Sequence, residues 1–251
     1  MNQGKMHLDI VAHCGNSASG EFNWTLNATD IYSQWSESVC IVNKSEHEVI
    51  NAIEEIKRRL PFKIKTINSD NGSEFINWHL LRYCKRENII LTRTRPYKKD
   101  DNAYIEQKNW TNVRKLLGWE RYEGKEVADL INDLYSNELR LYFNLFMPSV
   151  KLIEVKRIGS RIKKIYEEPK TPLQRLSEKY LKDEKIKKLM ELKSQLNPFE
   201  LAKKIEEKLE KIYQKKCKKI KSPKTQKREE MLNKIKEWLK KEKNYLWLDY
   251  F

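Results

Sequence analysis

Thr66-Ile67-Asn68-Ser69-Asp70-Asn71-Gly72-Ser73-Glu74-Phe75 is the stretch whose reading decides the fold. Ile64, Ile67 and their neighbours read as a buried strand, and Asp70 stands where that strand stops. Asn71-Gly72 supplies the turn, because glycine accepts positive φ without a Cβ clash. Ser73 then caps a helix carrying Phe75, Ile76, Leu80, Leu81 and Cys84. An aspartate at the carboxyl end of a strand, held by a tight turn, projects rigidly from the sheet edge. That is a suitable post for a metal ligand.

Two further acids join it as the reading moves outward. Glu106 opens a helical pattern with Trp110, Val113 and Leu117, and 35 residues separate it from Asp70. Asp9 lies inside the strand-like run Met6-His7-Leu8-Asp9-Ile10-Val11. Three carboxylates on two strands and a helix make a site for hard cations, since Mg²⁺ takes oxygen ligands and keeps waters beside substrate phosphates.

This order and spacing resembles the catalytic core of the retroviral-integrase (rve) superfamily, and more narrowly the DDE insertion-sequence transposases. The matching segments are Asp9 to Gly15, Ser69 to Ile76, Arg95 to Trp110 and Asn132 to Asn137. The likeness continues more weakly through Lys170-Thr171-Pro172 and Asn197-Pro198-Phe199-Glu200-Leu201. The resemblance implies a ribonuclease H-like α/β fold, a mixed five-stranded sheet flanked by helices, followed by a basic helical region. It implies Asp9, Asp70 and Glu106 as catalytic residues and ligands of two Mg²⁺ ions, with Mn²⁺ as a substitute. Water would free a 3′-hydroxyl at an element end, and that hydroxyl would attack target DNA. No covalent intermediate is needed, in keeping with the lack of an obvious Ser, Cys or Tyr nucleophile. Full-length relatives carry helix-turn-helix domains ahead of the first aspartate, whereas eight residues precede Asp9 here. The expectation is therefore a chain lacking that region.

Composition bounds the alternatives. Hydrophobic residues make up 39% and charged residues 35%, against about 45–50% and 25% in ordinary domains, so a folded core joined to a solvated segment is expected. Residues 1–150 hold 20 basic and 20 acidic side chains, while residues 151–251 hold 31 and 16. The whole net charge of +15 thus falls in the last 101 residues. That asymmetry predicts a polyanionic partner, DNA, for a second region 151–251 behind a catalytic core 1–150. A Lys-rich solvated face is the plainer reading of any single helix. Cys14, Cys40, Cys84 and Cys217 show no metal-type pairing and suit a reduced, cytoplasmic setting, and the resemblance implies a bacterial protein associated with the nucleoid. No apolar run of about 18 residues is present, so neither a membrane span nor a signal peptide is expected.

In order, the chain predicts strands at Lys5–Ile10, Phe22–Asn27 and Tyr32–Val42, with the last two joined at Thr29-Asp30. A Ser45-capped helix ending before Pro61, the strand to Asp70, a helix to Arg86 and a strand Ile89–Thr92 follow. Glu126–Phe146 reads as a long amphipathic helix. Beyond it Gly159-Ser160 and Pro169–Pro172 punctuate a connector. Leu176, Tyr180, Leu189 and Leu192 mark helical segments, and Asn197-Pro198 opens a clearer one with Glu200 at the capping-box position. Met231, Leu232, Ile235, Trp238 and Leu239 mark one more.

The basic loop Arg93, Arg95, Lys98 and Lys99 is placed to grip phosphates. Asn109 and Arg114, at +3 and +8 from Glu106, are candidates for contacts to a DNA end. Trp110 and Tyr97 are candidates for base stacking, with Trp110 expected to face the core. Asp100 and Asp101 read as solvated loop acids. DNA (element ends and target) and further copies of the chain are the expected partners, with no small-molecule substrate. Two other functions stay open: a truncated remnant that binds DNA or a full-length partner, and a metal-dependent nuclease on the same fold.

Overall fold

Alternation along the first strand divides the sheet into two unlike faces. In the computed structural model, which describes residues 3–69, 78–93, 103–159 and 161–217, β1 (Lys5–Ala12) turns Met6, Leu8 and Ile10 to one side and His7, Asp9 and Val11 to the other. β2 (Trp24–Asp30) and β3 (Ser36–Ile41) continue both patterns in antiparallel register. Leu26, Ala28, Val39 and Ile41 extend the apolar face, while Thr25, Asn27, Thr29, Ser36 and Ser38 extend the polar one. β4 (Thr66–Ser69) and β5 (Ile90–Arg93) add in parallel on the other side of β1. The order is β3-β2-β1-β4-β5, the ribonuclease H-like arrangement. The two parallel strands each follow a helix because a parallel return needs a crossover.

Those helices cover the apolar face. α1 (Glu46–Arg59) is capped by the Ser45 hydroxyl, which accepts from Glu48 N–H, and buries Val49, Ala52, Ile53 and Ile56. Each buried aliphatic contributes about 1.5–3 kcal/mol over leaving it in water, which outweighs any surface ion pair on the same helix. α2 (Trp78–Arg86) adds Leu80, Tyr83 and Cys84. The polar face is closed by α3 (Ala103–Lys108), a π-helical turn Asn109–Arg114, α4 (Lys115–Leu117) and α5 (Gly124–Leu134), which runs on through π turns Tyr135–Leu139 and Tyr142–Phe146. Val113, Leu117, Tyr122, Val127, Ile131 and Leu134 make the core on that side.

Side chains from the helices seal the outer edge of β3. The Asn132 amide accepts from Cys40 N–H at 2.7 Å and donates to Cys40 carbonyl at 2.8 Å. Asn144 does the same to Ser36, at 2.9 and 2.8 Å. Between them Arg59 donates to the Ser38 carbonyl at 2.8 Å. An edge strand left with open N–H and C=O groups would template another chain. Here three side chains take the place of a sixth strand.

Three expectations about the fold are corrected. The β2–β3 turn lies at 31–35, not at Thr29-Asp30, because Asp30 anchors it from the end of β2. Its carboxylate accepts from Gly4 N–H, Ser33 N–H and the Ser33 hydroxyl at 2.8, 2.8 and 2.7 Å. Burial raises the Asp30 carboxyl above its usual range, with those three bonds working the other way. The connector after residue 150 is a β-hairpin, β6 (Leu152–Ile158) and β7 (Arg161–Tyr166). The Gly159-Ser160 signal marks its turn, Gly159 having φ +60°. The expected helices follow as α6 (Pro172–Tyr180), α7 (Glu184–Gln195) and α8 (Pro198–Gln214), with Asn197 capping and Pro198 in first place. The capping box is at Thr171 and Gln174, not at Glu200. Leu173, Leu176 and Ile186 join the core under the apolar face, and Ile205 and Ile212 join the other. Asp70, the Asn71-Gly72 turn, the Ser73 cap, Tyr97, Arg95, Lys98, Lys99, Asp100, Asp101 and the helix around Trp238 lie outside the described residues.

Candidate active site

Asp9 lies on the polar face of the sheet, against which α3 packs. Asp9 sits in the central strand, opposite Asn27 of β2, and its Oδ1 accepts from the following Ile10 N–H at 2.8 Å. Its Oδ2 accepts from Asn109 Nδ2 at 2.6 Å, a bond that spans 100 residues of chain. Asn109 is one turn beyond Glu106, so the two side chains share a helix face. Glu106 is exposed on that face. The Asn109 contact therefore docks the helix bearing Glu106 against the strand bearing Asp9, and α3 packs on β1 and β2.

The third acid follows Ser69, the last residue of β4, which lies beside Leu8 of β1 and Arg93 of β5. Arg93 ends β5, exposed, at the same edge of the sheet. Asp9 and Glu106 thus stand on elements brought into contact, with Asn109 between them. Among the described residues no three His, Cys, Asp or Glu side chains form a metal cluster. The donors that Asp9 and Glu106 offer are hard carboxylate oxygens, which fit Mg²⁺ or Mn²⁺ rather than a thiophilic metal.

The helix after Glu106 departs from an ideal α-helix where it matters. Lys115 N–H bonds the carbonyl of Trp110, five residues back, so the turn is widened. Asn112 and Val113 are buried, and Trp110, expected in the core, is 55% exposed. It lies at i+4 from Glu106, which is likewise exposed. Arg114 turns to the far end of β1. Its guanidinium stacks on Trp119 at 4.1 Å, that indole being 67% exposed, and its proximity helps depress the His13 imidazole. His13 is buried, its Nε2 2.7 Å from Thr25 Oγ1, and burial foremost holds its pKa near about 3. Lys108 points toward a cavity of about 410 Å³ that it lines with Asn112, Phe143 and Ser149. Burial, with Arg175 nearby, pulls its ammonium down to about 8.

The loop after β1 is fastened by one side chain. Arg121 donates to the carbonyls of Cys14, Ser17, Ser19 and Glu21 at 3.1, 2.7, 2.8 and 2.9 Å, and pairs with Glu123. Gly15, at φ +61°, lets Arg121 approach, since a Cβ there would lie 2.9 Å from Arg121 Cβ. Neither Arg121 nor Asn27 was marked by any local pattern, because each acts through partners far along the chain. A separate cleft of about 500 Å³, lined by Glu48, Glu55, Arg58, Asp129 and Asp133, lies over β3 at the other edge of the sheet and holds none of the expected residues.

Among known proteins, residues 1–99 match the family described as the integrase core domain, rve. An uncharacterised protein of Sinorhizobium fredii, y4rM, is 40% identical over 172 residues, covering 68% of this chain and 49% of its own length. The chain spans about half the length of this curated relative. Similar solved structures include a simian T-cell lymphotropic virus intasome with a PP2A regulatory subunit, at TM-score 0.44 and 18% identity over 56% of this chain and 48% of that one. Another is the HTLV-2 integrase catalytic core in complex with magnesium, at TM-score 0.42 and 18% identity over 58% and 88%. Among the described residues no helix is long and apolar enough to cross a membrane. Over residues 1–99 the chain is thus similar to the integrase core domain family, rve.

Proposed function

We propose that this chain is the catalytic region of a DDE transposase or integrase, cleaving DNA and joining a freed 3′-hydroxyl to a target strand. The observation that carries the reading is the bond from Asn109 to Asp9, which seats the Glu106 helix against the central strand. In this reading Asp9, Asp70 and Glu106 hold two Mg²⁺ ions, with Mn²⁺ able to replace them. Bound there, such ions activate the attacking oxygen and stabilise the leaving one. Asn109 and the Ile10 amide orient Asp9 while leaving its charge in place, both being neutral donors. Arg93, with Arg95, Lys98 and Lys99, grips phosphates beside the acids, and Asn109 and Arg114 remain the candidates for contacts to a DNA end. Exposed Trp110 offers a stacking surface next to Glu106. Several copies assemble on the DNA, because joining two element ends to one target needs more than one active site.

The test is an assay on duplexes carrying the ends that flank the coding region, with Mg²⁺ and supercoiled plasmid as target. Parent protein should give both 3′-end cleavage and strand-transfer products. Asp9→Asn, Asp70→Asn and Glu106→Gln should each abolish both while remaining folded. An Asp9→Asn protein that cleaves at the parent rate sinks the reading. Hydrolysis without any joined product turns it into a nuclease.

A further inference from the structure

Asp9, Asn27 and Ser38 face one another across three strands, Asp9 opposite Asn27 and Asn27 opposite Ser38. A chain of hydrogen bonds runs along this row and passes through the helix. The Ser38 hydroxyl donates to Asn27 Oδ1 at 3.1 Å, Asn27 Nδ2 donates to Asn109 Oδ1 at 2.8 Å, and Asn109 Nδ2 donates to Asp9 Oδ2 at 2.6 Å. Its direction is dictated from the carboxylate end. An ionised carboxylate only accepts, so Asn109 must turn its NH₂ toward Asp9 and its oxygen toward Asn27. Asn27 must then present NH₂ to Asn109 and its own oxygen to Ser38. Reversing either amide sets oxygen against oxygen.

We propose that Asn27, backed by Ser38, is a positioning residue for Asp9 that acts through Asn109. Asn109 is only half-buried, and an amide with a single partner turns over about χ2 between two nearly isosteric forms. Only one of them donates to Asp9. Asn27 is fully buried, and with its NH₂ turned to Asn109 Oδ1 it gives that amide a second partner that disfavours the wrong form. Asp9 is thereby held ready for a cation by a row that begins two strands away. The inference rests on the reading of Asp9 as a metal-holding carboxylate.

The test reads Mn²⁺ binding to the full chain by electron paramagnetic resonance and calorimetry, well below each variant's melting temperature. Asn109→Ala should weaken Mn²⁺ about 10-fold or more, as loss of a partner behind a metal ligand does. Asn27→Leu, of similar size but without the donor, should weaken it roughly 3- to 10-fold, the worth of one neutral hydrogen bond. Because Asn27 works through Asn109, the double variant should bind no more weakly than Asn109→Ala alone. Should Asn27→Leu not fold, Asn27→Asp replaces it, keeping the acceptor for Ser38 and losing the donor to Asn109. Parent-like affinity in a folded Asn27 variant overturns the relay, as do additive losses in the double variant. Asp9→Asn separates the two levels. If it binds Mn²⁺ like the parent, the reading of the site fails and the relay with it. If it loses Mn²⁺ while Asn27→Leu does not, the relay alone fails.

Discussion

Asp9 and Glu37 are two carboxylates on one sheet, facing opposite sides, and they are held by opposite means. The Glu37 side chain is fully buried on the apolar face, beside Arg140 at 2.8 Å, Arg59 at 3.7 Å and the Trp35 indole N–H at 2.9 Å. Burial still pushes its carboxyl above the usual range against both guanidiniums, and its Oε2 takes no hydrogen bond. This is a knot that ties β3 to α1 and to the helix after α5. Asp9 is half-exposed and takes bonds from two neutral amides. Cationic partners spend a carboxylate's charge on the fold, whereas the neutral donors from Ile10 and Asn109 orient Asp9 without cancelling its charge.

The largest test of this contrast exchanges the two acids' fates. Asp9→Asn should reduce Mg²⁺-dependent cleavage to background with little change in melting temperature. Glu37→Gln should do the reverse, lowering stability by about 3 kcal/mol in urea titrations because two partly buried guanidiniums lose the buried carboxylate between them. Its activity per folded molecule should match the parent. If Glu37→Gln melts like the parent, the knot is not structural and the contrast breaks.

A smaller effect separates sealed from open polar groups. Asn132→Leu strands the Cys40 N–H and carbonyl at the β3 edge and should cost about 2–3 kcal/mol. It should also raise self-association measured by light scattering, since the edge is no longer covered. Asn137→Ala makes a control on the same helix, since Asn137 bonds only Asp133 on the surface.

His13 sharpens the comparison by pH. Its folded pKa is about 3 against an ordinary value of 6.5, so the unfolded chain binds the proton more readily. Stability should therefore fall as pH drops below about 6.5, by at most about 1.4 kcal/mol per unit from this residue. Asp30 and Glu37, raised by burial, act in the opposite sense. The difference between parent and His13→Asn, followed by urea titration from pH 7 to 5, cancels them. That difference should shrink steadily as the pH is lowered.

The least effect concerns the basic C-terminal stretch. Lys185 and Lys188 are exposed on α7, and replacing both with Gln should flatten the salt dependence of non-specific duplex binding. Each lost phosphate contact removes about 0.9 from the slope of log K against log salt. Equal slopes would make these lysines a solvated face only, against the expectation that the charge excess beyond residue 150 serves DNA.

Local pattern carried much of this protein. Alternation placed Asp9 in a strand, the helical pattern that follows Glu106 set it near the head of a helix, and Ser45 and Asn197-Pro198 opened their helices where capping chemistry requires. These features depend on neighbours within one turn or one pleat, so the residue order alone determines them. The tertiary structure decided the rest. Asn27 becomes Asn109's partner only when a strand and a helix 82 residues apart dock. Asn132 and Asn144 become edge seals only beside β3, 92 and 108 residues away. Trp110 faces outward because a widened helical turn, fitted to the sheet below it, puts Asn112 and Val113 inward instead. A side-chain amide reads the same in any sequence window, and its role is set by whichever distant group the fold leaves within 3 Å of it.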